Sequence, residues 1–134
     1  MRVFVYFNLH KKCFSIKALE GDRKGRVVAH STTVLLEGCK FKVSEAGRQR
    51  VLREKRKNVH AGVTGTWINA DRVESCYEFL SMVGRLVTYN PYKYDSFVIK
   101  ATEQPIKVAD VVAMKVMPMA DGVKRGVIYM RSFE

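Results

Sequence analysis

The sequence predicts an α+β fold: a mostly antiparallel sheet with two helices, in a single compact domain spanning residues 1–134. Three observations carry that expectation. Short stretches with an apolar period of two dominate the chain, one stretch repeats apolar residues every three or four positions while another follows a helix-capping serine, and turn-forming residues separate most of them. With 134 residues, 47% hydrophobic and 28% charged, the chain can bury one core. It holds no apolar run of about 18 residues, so no spanning helix is expected. The run Val3–Phe7 is also too short for a signal-peptide core, so the expected location is the cytoplasm.

The elements follow in order. Val3, Val5, Phe7 and Leu9 share one parity, and Phe14, Ile16 and Ala18 share another. Arg2–Leu9 and Lys12–Leu19 are therefore read as an antiparallel hairpin joined through His10 and Lys11. Glu20–Gly25 is a charged turn. Strands are expected at Arg26–His30, Thr33–Leu36 and Cys39–Val43, with Glu37-Gly38 as a turn between the last two. Ser44 caps a helix that starts at Glu45, places an acid in its first turn and runs to about Lys57. Gly47 weakens it by roughly 1 kcal/mol relative to alanine. Val59–Ile68, with Gly62 and Gly65, is read as a strand with a bend or bulge. Val73, Cys76, Tyr77, Leu80 and Val83 mark an amphipathic helix over Asp71–Val83 that covers the sheet. Tyr89–Tyr92 is a turn, Tyr94–Ala101 and Val108–Val116 are strands, and Asp121-Gly122 turns into a last strand at Val123–Met130.

Charge is distributed unevenly. Residues 1–67 carry 15 basic and 5 acidic side chains, a formal +10, whereas residues 68–134 carry 9 and 8, a formal +1. The densest part is Arg48–Lys57, where Arg48, Arg50, Arg53, Lys55, Arg56 and Lys57 face one acid, Glu54. Such a field favours a polyanionic partner. Lys11, Lys12, Arg23, Lys24 and Arg26 form an expected second rim.

Short motifs narrow the chemistry. Val3-Phe4-Val5-Tyr6-Phe7-Asn8-Leu9 is similar to the first strand of RNA-recognition motifs, whose sheet aromatics stack on bases. It carries one residue too many before Asn-Leu, a strand rather than a helix is expected next, and no Lys/Arg-Gly-Phe partner follows. The segment is therefore read as a core strand with large side chains. Gly62-Val63-Thr64-Gly65 resembles the G-x-x-G of KH domains, but its middle residues are not basic, and it lacks the Gly-Lys-Ser/Thr ending of a Walker loop.

His30-Ser31-Thr32 has the H-x-T form of two-histidine phosphodiesterases. The nearest second copy, His60-Ala61-Gly62, lacks the hydroxyl. His30 and His60 are the candidates for metal-independent phosphodiester cleavage, should the chain be an enzyme at all. The basic half offers only Glu20, Asp22, Glu37, Glu45 and Glu54, which disfavours a two-metal nuclease. Cys13, Cys39 and Cys76 are widely spaced and, with His10, His30 and His60, supply no paired ligand set. They are read as reduced structural cysteines, with no metal and no cofactor. Tyr89, Tyr92 and Tyr94 either stack on unpaired bases or cover the edge of the core.

In size, charge and the stretch Ser44-Glu45-Ala46-Gly47-Arg48-Gln49-Arg50-Val51-Leu52-Arg53, the chain resembles the small basic accessory proteins of bacteriophages. That resemblance implies nucleic-acid binding or the blocking of a host enzyme or defence signal. The expected function is nucleic-acid binding, to single strands or structured RNA or DNA, through phosphate contacts from the basic helix. The alternatives are capture of a nucleotide or cyclic oligonucleotide in a basic pocket that includes Gly62–Gly65, and inhibition of a host protein through its acidic surface.

Overall fold

Alternation at the N-terminus produces the hairpin it predicts. In the computed structural model, which describes residues 1–68 and 73–132, β1 (Arg2–Asn8) pairs antiparallel with β2 (Cys13–Ala18). Val5 stands opposite Ile16, and Phe7 opposite Phe14. The connection is longer than the expected two-residue link. Asn8 Oδ1 accepts the His10 and Lys11 N–H groups at 3.0 Å each, and Lys12 enters the left-handed region at φ 55°. The short asparagine side chain thus builds the turn.

The remaining strands are β3 (Val27–Ser31), β4 (Thr33–Val43), β5 (Ala61–Trp67), β6 (Arg85–Thr88), β7 (Val98–Ile99), β8 (Val108–Pro118) and β9 (Lys124–Arg131). Two helices, α1 (Glu45–Glu54) and α2 (Val73–Val83), complete the described residues. All strands join one antiparallel sheet in the order β3-β2-β1-β5-β4-β8-β9-β6-β7, so the α+β expectation holds.

Several boundaries differ from expectation. Glu37-Gly38 is not a turn: β4 continues through it, and its register against β5 slips between Glu37 and Lys40. Gly38, at φ 59°, absorbs the extra residue as a bulge, which only a residue without a Cβ does cheaply. The expected strand at Tyr94–Ala101 shrinks to Val98–Ile99. The Tyr94 N–H bonds Asn90 O at 2.8 Å, so that part of the segment curls back on itself. Strand β6 follows Gly84 and was not anticipated, because four residues are too few to display a period. The start of the second helix was expected at Asp71, which lies outside the described residues.

The sheet is strongly curled. Ser31 ends β3 and Thr33 begins β4, yet these strands stand four positions apart. In a flat sheet that is roughly 19 Å, whereas two peptide steps span at most about 7.6 Å. The sheet must wrap round so that β3 meets the start of β4. At that seam the Val116 N–H donates to Thr32 O at 2.9 Å. In the same way, Gly126 of β9 abuts Phe14 of β2 so closely that a Cβ would stand 2.7 Å from Phe14 Cζ, although five positions separate the strands.

The two faces then have different fates. Val3, Val5, Phe14, Ile16, Leu36, Val63, Val112 and Met114 point inward and form the main core. On the outer face, α2 lays Val73, Tyr77 and Leu80 over Leu35 and Ala113. Burying three such side chains contributes on the order of 5 kcal/mol before ordering costs. Glu74 fastens the helix, accepting from Thr33 Oγ1 and Lys115 Nζ at 2.9 Å each. The Lys115 hydrogen bond is the main reason its carboxyl sits below the usual carboxylate range. Helix α2 contacts β4, β6, β8 and β9. Among the described residues, neither helix packs to a comparable extent on the outer face of β3-β2-β1-β5 and the far half of β4.

Candidate nucleic-acid interface

Helix α1 begins as the sequence indicates. Ser44 is its N-cap, with Oγ accepting the Gly47 N–H at 3.2 Å, and Glu45 lies in the first turn, where the helix dipole favours an acid. Gly47 is needed there, since a Cβ would come within 2.5 Å of His60 Cβ.

The helix ends at Glu54, earlier than expected. Lys55 turns into the left-handed region at φ 56° and its N–H closes on Val51 O at 2.9 Å. Lys55, Arg56 and Lys57 therefore lie on the irregular segment leading to β5, not on the helix.

The basic residues of this stretch split by environment. Arg48 is a fastener: its Nε–H forks between Pro91 O at 3.0 Å and Tyr94 O at 2.9 Å, and Nη1 pairs with Glu45 at 3.0 Å. Its side chain is only 16% exposed, so it is spent on the 90–95 loop and not offered to a ligand. Arg50 pairs with Glu54 at 3.0 Å on the open surface, an arrangement worth little and easily exchanged. Lys55 Nζ stands 5.5 Å from the Tyr92 ring centroid. Arg53, Arg56 and Lys57 are exposed, and among the described residues none of the three enters an ion pair.

The second rim divides. Lys11 and Lys12 lie on the β1–β2 turn, at the same end of the sheet as α1, because the register sets Val5 against Val63 and Val43 against Ala61. Arg23, Lys24 and Arg26 lie beyond the other end of β2, a strand length away. The structure does not bring them to α1.

The tyrosines also separate. Tyr89 packs against the core, with burial pushing its hydroxyl up to about 12. Tyr94 gives its hydroxyl to Glu103 and its carbonyl to Arg48. Of the three, Tyr92 presents an exposed ring, at 57%.

The histidines do not converge. His60 Nδ1 lies 3.1 Å from two Asn58 oxygens, both acceptors, so Nδ1 carries the proton, and Nε2 accepts from the Tyr89 hydroxyl at 2.7 Å. This chain ties the segment after α1 to the loop after β6. His30 Nδ1 meets the fully buried Ser15 hydroxyl at 3.0 Å, and Asn8 Nδ2 donates to the same oxygen at 3.2 Å. The two imidazoles are held by separate sets of partners, His60 by Asn58 and Tyr89 and His30 by Ser15.

Gly62 and Gly65 lie inside β5, not in a loop. A Cβ on Gly62 would stand 2.5 Å from Phe4 Cζ, and one on Gly65 would stand 3.1 Å from Glu37 O. Their space is filled by protein, which leaves no cradle for a phosphate. Two hollows, of about 350 and 510 Å³, share Gly84, Arg85 and Ile99 and contain none of the Arg48–Lys57 cations. Cys39 is buried in the core, while Cys13 and Cys76 are partly covered; all three are free thiols.

Sequence reasoning missed one group. Phe4 and Tyr6 share the outer face of β1 and belong to neither apolar cluster, although their segment was read as core. Their parity, opposite to Val3 and Val5, was the available signal.

These features define a small basic α+β protein. Residues 1–120 match the family described as Mycobacterium phage L5 gene 82 protein, and the chain belongs to that family. It is 45% identical over 116 residues to the Gene 82 protein of Mycobacterium phage L5, covering 82% of this chain and 86% of that protein. No solved structure matches the chain. Among the described residues, no helix is long and apolar enough to cross a membrane.

Proposed function

We propose that this protein binds nucleic acid in the cytoplasm of the infected cell, chiefly by neutralising phosphates at the end of α1 and along the segment after it. The observation that carries the reading is the exposed set Arg53, Arg56 and Lys57, which makes no ion pair among the described residues within the +10 half of the chain. Arg50 and Lys55 stand beside them with exchangeable partners, and Lys11 and Lys12 lie on the neighbouring turn. Cations without internal partners release counterions when they meet a polyanion, so affinity should fall steeply with salt.

The test is a binding titration with a labelled oligonucleotide at two salt concentrations. Four contacts to a single strand give a log–log slope of about −2.8, or roughly a fiftyfold loss between 50 and 200 mM salt. Replacing Arg53, Arg56 and Lys57 together by Gln should flatten the slope by about 2. A flat salt response of the unmodified protein, or no binding at 50 mM salt, would overturn the reading.

A further inference from the structure

The uncovered outer face of the curled sheet has a definite composition. Cross-strand register aligns Lys40, Thr64, Phe4 and Lys17 in one row, since Lys40 faces Thr64 on β5, Thr64 faces Phe4 on β1, and Phe4 faces Lys17 on β2. One step along, Lys42 faces Gly62, and Tyr6 faces Ser15, which faces His30. Paired residues in a sheet point to the same side, so these form one surface.

Phe4 and Tyr6 lie side by side at its centre, with ring centroids 6.0 Å apart and planes tilted by 34°. Both rings are partly exposed. The Phe4 ring lies over Gly62, where the missing side chain lets it settle against the backbone. Lysines flank the pair on both sides, and Lys17, Lys40 and Lys42 enter no ion pair among the described residues.

Two features of this face call for explanation. Large aromatic surface is normally buried, yet these rings remain outside the core. Lys17, Lys40 and Lys42 border these rings without an acid paired to them among the described residues. One ligand satisfies both. An unpaired nucleic-acid strand stacks its bases on aromatic rings while its phosphates meet cations alongside. A duplex cannot do so, because its bases are already stacked and paired.

We propose that this face is a stacking platform for single-stranded nucleic acid, in which Phe4 and Tyr6 each receive one base and Lys17, Lys40 and Lys42 hold the flanking phosphates. The proposal rests on the nucleic-acid reading above and adds to it the form of the strand and the seat of its bases. Strand β4 ends one residue before the Ser44 cap of α1, so the lysine row leads toward the cations of Arg53–Lys57. A bound strand can then run from the platform to that segment.

The experiment uses the full chain and a fluorescein-labelled 16-nucleotide pyrimidine DNA strand, with the corresponding duplex as comparison. Tighter binding of the strand than of the duplex is expected. Phe4→Leu and Tyr6→Leu should each weaken strand binding by roughly five- to a hundredfold without altering the salt slope. With the three platform lysines added to the four contacts above, the full slope becomes about −4.9, and Lys17→Gln, Lys40→Gln and Lys42→Gln together should reduce it by about 2. Photocrosslinking of a bromodeoxyuridine-substituted strand to the unmodified protein, mapped by mass spectrometry, should mark Phe4 or Tyr6. That measurement needs no variant to fold.

If the strand binds but crosslinks elsewhere, and Tyr6→Leu binds as tightly as the unmodified chain, the platform is wrong while phosphate binding at Arg53–Lys57 stands. Duplex binding at least as tight as strand binding also overturns the platform. If neither form binds at 50 mM salt, both readings fall.

Discussion

Arg48 offers the sharpest separation between a cation that binds and one that builds. By sequence it opens the most basic stretch of the chain, and it would be the first residue chosen for phosphate contact. Its guanidinium instead holds two carbonyls of the 90–95 loop and the Glu45 carboxylate. Hydrogen bonds from a charged donor contribute roughly 1.5–3 kcal/mol, and their removal leaves the partly buried carbonyls of Pro91 and Tyr94 without that donor. Arg48→Met, which retains the stem, should therefore cost about 2–4 kcal/mol.

With a urea slope of about 1.5 kcal/mol per molar for a chain of this size, the midpoint falls by roughly 1.5–2.5 M. Arg53→Met, on the open surface, should stay within about 0.5 kcal/mol of the parent. In binding titrations the pattern inverts: Arg53→Met lowers the salt slope by about 0.7, whereas Arg48→Met leaves it unchanged under conditions where the variant is folded. An Arg48→Met protein as stable as the parent but with a reduced salt slope would refute this division of labour.

Three further outcomes follow from the packing. Gly62→Ala places a methyl 2.4 Å from Val5 O and 2.5 Å from Phe4 Cζ, so a fall in stability of about 1–3 kcal/mol is expected by urea titration. Leu80→Ala removes the most buried side chain of α2 and should cost about 2–4 kcal/mol, with the helix signal lost in the same transition as the sheet. Alkaline pH should destabilise the protein in two stages. Burial pushes the Cys39 thiol up to about 12 from an ordinary 9.0, so stability is full below pH 9 and declines above it by up to about 1.4 kcal/mol per pH unit. Tyr89, pushed up to about 12 by burial, adds its own loss above pH 10. Urea midpoints of Cys39→Ala at pH 8, 9 and 10 should lack the first stage.

The legible parts of the sequence were those governed by local periods. Alternation from Arg2 to Ala18 located a hairpin and its core-facing parity, and spacings from Val73 to Val83 located the helix that covers the sheet. Ser44 marked the cap of α1 because capping is a contact between near neighbours. What escaped was set by distant partners. Nothing near Gly38 reveals that its strand continues, since the β5 and β8 neighbours that hold it straight are far along the chain. Nothing near Arg48 reveals the carbonyls of residues 91 and 94. The segment holding Phe4 and Tyr6 was read as a core strand with large side chains; the parity opposite to Val3 and Val5 sets these two rings on the outer face. The segregation of charge was visible at once. Which cations are free was not, because that depends on acids and carbonyls brought in by folding.

The junction at Thr32 bears on how the molecule opens. A closed barrel is sealed by hydrogen bonds between its first and last strands, and once these break the edge can drift away. Here a single residue joins β3 to β4 across the gap, so a β3 that loses its ladder to β2 remains leashed beside its own berth. The effective concentration for re-pairing stays high, and such openings should be brief and local. The leash also shortens the time for which the unpaired edge of β3 could recruit a strand from another molecule.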